Sequence, residues 1–444
     1  MENVIHNINK NGLIKKGERV AVACSGGKDS MALLHFLNEH KEELGCEIIA
    51  VNVDHCIREN SANDSTFVKN YCEKNDIKIY SYQVDCVRFS EDKKLSLEQG
   101  ARECRYIIFK SLITKGVVDK IALAHHAQDQ AETILLNIFR GTGIAGASGM
   151  DYIRDGIYIR PMLDTPQSQI RAYVASNEIP YVEDETNNDN DYSRNYIRNT
   201  ILPLIRNRWT QADSAICNFG KNCRQDESYI DSTISNDAII TESGMARIYS
   251  TYFVYADAYV FRLILRALKS IGLSTNIETK HLKLIKNMAV EAENGTKISL
   301  PNGLSVIKEY NFITFTNRNI KPNSKKYPFT KGKLDVSNFG LIETVVTRKF
   351  DLDKYSHLID ASKLPKDAIW RFRKDGDMFE KFGGGTKSLS DYLIDKKVPV
   401  RLRNLTPVLA RENEVYIIAG VEISDKVKVD ADTKVAYGIN VKRF

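Results

Sequence analysis

Paired cysteines are what this chain most plainly lacks. Its eight cysteines fall at no C-x-x-C spacing, which argues against a zinc or disulfide framework and suits free thiols in a reducing compartment. No run of about 20 apolar residues is present, so no membrane span is expected. The start, Met1-Glu2-Asn3-Val4-Ile5-His6, lacks the basic-then-apolar layout of a secretory leader, and a cytoplasmic protein is expected. Neither sign of charge dominates. The net charge of +6, with 27% charged residues and a pI near 8.7, is compatible with a polyanionic partner without requiring one. Repeats and low-complexity tracts are absent, and the C-terminal half shows no nucleophile-elbow pattern. At 444 residues and 43% hydrophobic content, the composition is that of a globular protein with two or three domains.

What is present is concentrated near the amino end. Ser25-Gly26-Gly27-Lys28-Asp29-Ser30 follows an apolar run, Val20–Cys24, and precedes a helical pattern from Met31 to Leu37. A strand, a small-residue turn and a helix start grip phosphate. Adjacent glycines let backbone N–H groups approach an anion, and the helix end adds unpaired donors and its positive pole. Ser25 and Ser30 add hydroxyls and Lys28 a compact positive charge. Asp29 among phosphates makes sense if it holds a metal ion. This is not a Walker A loop, which needs a glycine five residues ahead of its Gly-Lys-Ser/Thr. The stretch resembles the PP-loop of ATP pyrophosphatases, which cleave ATP between the α and β phosphates and adenylate a substrate. A tight turn without a ligand is the plainer alternative.

The following segments alternate. Strands are expected at 46–53, 78–84 and 120–124, and helices at 67–75 and 97–112. Alternation of this kind gives α/β architecture, a parallel sheet with helices on both faces, and ligands outside the carboxyl ends of its strands. That rule gathers three segments into one crevice, beginning at Ser25, Asp54 and His125. The polar run 183–191 reads as an exposed loop. The pattern from Trp209 to about Ile240 is weak. The helices expected at 256–271 and 279–288 carry Arg262, Arg266, Lys269, Lys280, Lys283 and Lys286. The expected division is a catalytic domain over 1–207, an α+β middle domain over 208–320, a linker over 321–344 and a small strand-rich domain over 345–444.

Several constellations carry chemistry. Asp54 and His55 end the second strand and face the crevice, although Asp54 also suits a cap. Glu98, Arg102, Arg105 and Tyr106 share helical spacings, where an i,i+4 ion pair explains Glu98 and Arg102 as well as a phosphate fork does. His125-His126-Ala127-Gln128-Asp129 through Thr133 ends a strand and starts a helix. His126, Asp129 and Thr133 fall near one helix face. The usual i,i+4 histidine pair of zinc sites is missing, so a carboxylate facing phosphates here points to Mg²⁺. Arg140-Gly141-Thr142-Gly143 reads as an anion turn or as a glycine cap. Trp370-Arg371-Phe372-Arg373-Lys374 suits RNA, and equally a strand with one buried face.

SGGKDS, VDHCIR, EQGARECRY, AHHAQDQAET with LLNIFRGTGIAG, RPML and EDETNNDNDYSRNYIRNTILP occur in this order. Together they resemble the tRNA(Ile)-lysidine synthetase family, densely over about residues 15–205. The segment from Asp375 through Pro407-Val408-Leu409 is similar to the family's C-terminal domain. The chain departs from the family at Gln128, where a second aspartate is common.

The resemblance implies a two-step ligation. ATP adenylates the C2 carbonyl oxygen of the wobble cytidine of tRNA(Ile) with a CAU anticodon, releasing pyrophosphate. The ε-amine of free L-lysine then displaces AMP to give lysidine. It further implies ATP contacts at Ser25, Gly26, Gly27, Lys28, Asp29, Ser30, Asp54 and His55. Mg²⁺ would lie on Asp29 and Asp129, and tRNA contacts on Arg194, Asn195 and Arg198. Lys28, Arg105, Asp29, Asp129 and His126 would act in catalysis. A carboxylate or His126 would be the base, and acids such as Asp184 would hold lysine's ammonium groups. Oligomeric state stays open, a homodimer included. The alternatives are a thiolase-type PP-loop enzyme and a non-catalytic tRNA-binding protein.

Overall fold

The computed structural model describes residues 1, 3–56, 61–183, 193–242, 244–318 and 324–443. It divides into two compact units, Met1–Tyr229 and Ile230–Phe444.

The first unit is built on strands β1 (Arg19–Ala23), β2 (Glu47–Asp54), β3 (Lys78–Gln83), β4 (Lys120–Ala122), β5 (Ile153–Arg154) and β6 (Tyr158–Ile159), in the order β3-β2-β1-β4-β6-β5. All neighbours run parallel except β5 with β6, in register Val22↔Ala50 and Val22↔Ala122 across β1. Strand alternation sends side chains to opposite faces. Val20, Val22, Ile48 and Ala50 pack with Met31, Leu34 and Leu37 of the Lys28–Glu39 helix and Val68 of the Ser61–Lys74 helix. Ala21, Ile49 and Val51 pack on the other face with Phe109 and Leu112 of the Leu97–Thr114 helix. The α/β layering expected from the sequence is therefore present. The chain leaves β1 towards β2 and β3, then crosses back to β4 on β1's other side. Strand order reverses there, and the carboxyl ends of β1 and β4 frame a crevice.

The weak pattern after Trp209 becomes a 22-residue helix, Ala212–Thr233. Tertiary contacts decide it. A Cβ on Gly220 would stand 2.5 Å from Ile134 Cδ1. Arg224 donates to the carbonyls of Ser148 and Met150, both at 2.7 Å.

In the second unit, the antiparallel strands Ile239–Glu242, Met245–Tyr249, Phe312–Thr316, Ser305–Glu309 and Lys297–Ser299 lie in that order. The helices Asp257–Ser270 and Thr279–Glu291 cover them through Leu263, Ile264, Leu268 and Ile285. Several of the helix cations are spoken for. Arg266 pairs with Asp231 at 2.6 Å, Lys286 with Asp257 at 2.6 Å and Lys280 with Glu278 at 2.9 Å. Gly332–Val336 and Gly340–Thr347, expected to belong largely to a linker, instead form two paired strands. The second of them pairs along its length with Ala436–Arg443. Trp370, Arg371 and Phe372 lie buried in a strand. Arg371 forks onto Asp377 at 2.7 and 2.8 Å, so of the two readings of this segment the structure shows the strand.

His357 Nε2 accepts the Gly420 N–H at 2.8 Å, and burial, opposed by Glu422, lowers its pKa to about 4. The unfolded value is near 6.5. The folded chain therefore disfavours the proton, and this stability is complete above about 6.5 and lost as pH falls towards 4. The wild-type protein is expected to lose more melting temperature than His357→Gln between pH 7 and pH 4.5. Parallel melts in the two buffers check this.

Candidate nucleotide and ligation site

At the end of β1 the chain turns through Ser25–Gly27 into the Lys28–Glu39 helix. Gly26 has φ +86°, and Gly27 is an N-cap whose side supplies no capping bond. The first-turn N–H groups thus remain available to an anion. The turn is braced from within. Ser30 Oγ donates to the Gly27 carbonyl at 2.8 Å and accepts the Ser25 N–H at 3.2 Å. Behind it, buried Asn52 donates to the Cys24 carbonyl at 2.9 Å and accepts from Ser65 at 2.7 Å. Asn52 is a member of this site that the sequence motifs do not include. A polar residue in the apolar run of a central strand was the available signal.

β4 delivers His125 and His126 to the opposite wall, where His126 N-caps the Ala127–Phe139 helix. Asp129 Oδ2 accepts the His126 N–H at 3.0 Å. His126 Nε2 lies 3.6 Å from Asp29 Oδ2 and 3.5 Å from Asp129 Oδ2. Asp29, Asp129 and His126, drawn from segments a hundred residues apart, meet as the sequence predicts. Burial works against an imidazolium at His126, but the Asp29 hydrogen bond and the charges of Asp129, Asp29 and Glu132 raise its pKa. Burial also opposes ionisation of Asp129, and His126 and Arg194 override it, lowering its pKa. His125 behaves oppositely. Burial, with Arg160, Arg194 and Arg102 nearby, takes it down to about 3 against the pull of Asp129.

Arg194 and Arg198 are paired with the carboxylates of this wall and keep about a third of their side chains exposed. Arg194 Nη2 and Arg198 Nη2 donate to Asp129 Oδ1 at 3.0 and 3.2 Å. Arg194 Nε and Arg198 Nε reach Glu132 at 2.9 and 2.6 Å. Glu132 is 1% exposed and is the residue of this cluster to which the sequence assigns no role. Its i+3 spacing from Asp129, matched by the i,i+4 spacing of the arginines, was the legible signal. Arg194 to Ile201 passes from a short α-helix into a π-helical turn, a departure found often at functional sites.

His55 lies at the end of β2, with Nδ1 3.2 Å from Cys86 Sγ. Burial and the charge of Arg105 lower its pKa to about 4. Asp54 Oδ1 accepts the Cys56 N–H at 2.9 Å, so Asp54 closes a turn at the crevice edge. Gly141, at φ +79°, donates to the Ile138 carbonyl at 2.9 Å, so Arg140–Gly143 forms a helix cap. Arg58 and Asp184 lie outside the described residues.

Residues 1–205 match the PP-loop domain family, and residues 368–437 match the TilS substrate C-terminal domain family. The tRNA(Ile)-lysidine synthase of Clostridium tetani is 34% identical, over 97% of this chain and 96% of its own length. That of Clostridium acetobutylicum is 33% identical, over 100% and 99%. The chain belongs to the tRNA(Ile)-lysidine synthase family. In this family member Gln128 is tied into the scaffold. It donates to Asp213 at 3.2 Å and accepts the Gln167 N–H at 2.8 Å, so a carboxylate there would face another carboxylate.

The Mg²⁺ expected from the sequence meets a mixed donor set. Asp29 Oδ1 is buried with no hydrogen-bond partner among the described residues and fits a cation. Both oxygens of Asp129 are already engaged by His126, Arg194 and Arg198. Among the described residues no three His, Cys, Asp or Glu groups are placed to hold a metal. Mg²⁺ seldom asks for three, since one or two carboxylates and substrate phosphates suffice. The chain takes a left-handed turn at Gly26, where a Cβ would also stand 3.4 Å from Val68 Cγ2. Gly26→Ala is expected to cost about 1–2 kcal/mol of stability and to weaken ATP binding. Thermal melts with and without ATP check both.

Proposed function

We propose that this protein is an ATP-dependent ligase that converts the wobble cytidine of tRNA(Ile) with a CAU anticodon to lysidine. The cytidine C2 oxygen attacks the α-phosphate of ATP and pyrophosphate leaves. The ε-amine of free L-lysine then bonds to C2, the C2–O bond breaks, AMP leaves and the amine's proton goes to a base. The observation that carries this reading is the meeting of Asp29, His126 and Asp129 at the strand-order reversal, beside an open helix N-terminus.

Charge grows on the α-phosphate in the first step. The first-turn N–H groups of the Lys28–Glu39 helix and the Lys28 ammonium would stabilise it without reorganisation. Mg²⁺, when bound, would neutralise phosphate charge, with Asp29 as its open protein donor and Asp129 as the second. Arg105, whose charge acts on His55 at the end of β2, would serve the same charge. His126, held towards its protonated form by the carboxylates of Asp29, Asp129 and Glu132, suits a developing anion better than it suits proton removal. That leaves the amine's proton to a carboxylate. Arg194, Asn195 and Arg198 are the proposed RNA contacts of this domain, and reaching RNA requires the arginines to exchange carboxylate for phosphate. The C-terminal residues matched by the family give the second tRNA surface.

The test is direct. Protein, ATP, Mg²⁺, radiolabelled lysine and a CAU transcript are expected to give labelled RNA and an equivalent of pyrophosphate. A transcript with uridine at the wobble position should give neither. Unlabelled RNA from the CAU transcript overturns the assignment.

A further inference from the structure

On the sheet face that carries the Leu97–Thr114 helix, a cleft of about 710 Å³ opens between that helix and β5–β6. Its volume is that of a small-ligand site, roughly 300–1,000 Å³. Gln99, Arg102, Tyr106 and Lys110 line it from one helix face, and Arg154 and Tyr158 line it from the hairpin. Tyr106 and Tyr158 meet edge to face, with centroids 5.1 Å apart. The Arg154 guanidinium lies against both rings, 4.3 Å from the Tyr106 centroid and 4.6 Å from that of Tyr158. Its Nε is buried and makes no hydrogen bond among the described residues, although Asp155 stands 3.5 Å away. Arg102 stands 5.4 Å from the Tyr106 centroid on the opening side and is exposed.

A cationic guanidinium backed by rings in this way takes the face of a nucleobase. Stacking supplies the affinity, and neighbouring cations meet the adjoining phosphates. Glu103 and Asp155, also in the wall, offer acceptors to a base's amino edge. Little of the wall is aliphatic beyond Leu95 and Ile107, which disfavours a docked protein helix. The cleft adjoins the crevice through β4, which pairs with β6 at Ile121↔Tyr158 and runs on to His125 and His126. Tyr158 therefore stands one strand from the wall that carries the two histidines.

We propose that this cleft receives a nucleotide flanking the modified cytidine, its base stacked on the Arg154–Tyr106 platform and its phosphates met by Arg102 and Lys110. The proposal rests on the RNA-modifying reading above and names residues that position its substrate. Arg154 acts here as a positioning residue.

Full-length wild type and Arg154→Ala would be titrated with a CAU anticodon stem-loop and with stem-loops made abasic, one position at a time, beside the cytidine. For the intact loop the variant is expected to bind roughly tenfold more weakly, with KM for ATP and kcat unchanged. One abasic loop is expected to lose affinity for wild type and to lose no more on Arg154→Ala. Ile107→Ser, at the rim, gives a second variant that leaves the ring stack intact and should weaken the same loop. Equal affinities for wild type and Arg154→Ala, or losses that simply add, overturn the cleft assignment. Failure of the wild type to form lysidine overturns the underlying reading instead, so the two failures are told apart.

Discussion

In Asp29→Asn, tRNA-dependent pyrophosphate release is expected to fall by about 10²–10³-fold, the usual cost of one lost charge-stabilising group. The shape of the side chain is unchanged. Its buried Oδ1 has no hydrogen-bond partner among the described residues, and only the Oδ2 pairing with His126 is weakened, so melting temperature should change little. tRNA affinity should be unaffected, because the side chain lies in the nucleotide crevice. The same substitution removes the hydrogen bond that favours an imidazolium at His126, and the His126 resonance should titrate at lower pH than in wild type. Asp129→Asn is the less informative variant. Asp129 also caps its helix and holds two arginines, so its loss mixes chemistry with folding. Pyrophosphate release at the wild-type rate in Asp29→Asn would end the case for a cation on this carboxylate.

The second large effect concerns stability. Arg194→Ala with Arg198→Ala leaves Glu132, 1% exposed, as a buried carboxylate without cations, and removes two partners from Asp129. Breaking buried pairs of this kind costs about 3–5 kcal/mol, because the surviving charge stays desolvated. For a unit of this size that is roughly 10 °C of melting temperature. Adding Glu132→Gln to the double variant should restore a large part of it, since the amide needs no counter-charge. A double variant that melts like wild type would show the four groups to be loosely held, and the arginines would then be free for RNA without cost.

The motifs of the first unit were legible because each is local. Glycines in the Ser25–Ser30 turn, apolar runs at β1, β2 and β4, and a polar cluster after each run announce strand, loop and helix in sequence. The rule on strand ends then brings Asp29 to His126 without knowledge of any distance. The Ala212–Thr233 helix was illegible for the opposite reason. Its stripe is weak, and Gly220 and Arg224 are explained only by Ile134, Ser148 and Met150 against them. The strands at Gly332–Val336 and Gly340–Thr347 were missed alike, since the second pairs with residues some hundred positions later.

The sequence alone determined the phosphate-gripping turn, the parallel sheet and the ordered motifs of a lysidine synthase. Those depend on short spacings, backbone conformations open to glycine and the two periods of apolar residues. Tertiary structure alone decided the partners of Arg194 and Arg198, the burial of Glu132 and the cleft behind Tyr106. Each sets side chains from distant segments within hydrogen-bond or ring-contact reach. A charge's role depends on which opposite charge it meets once water is excluded, and spacing along the chain shows only which charges share a face, not which faces meet.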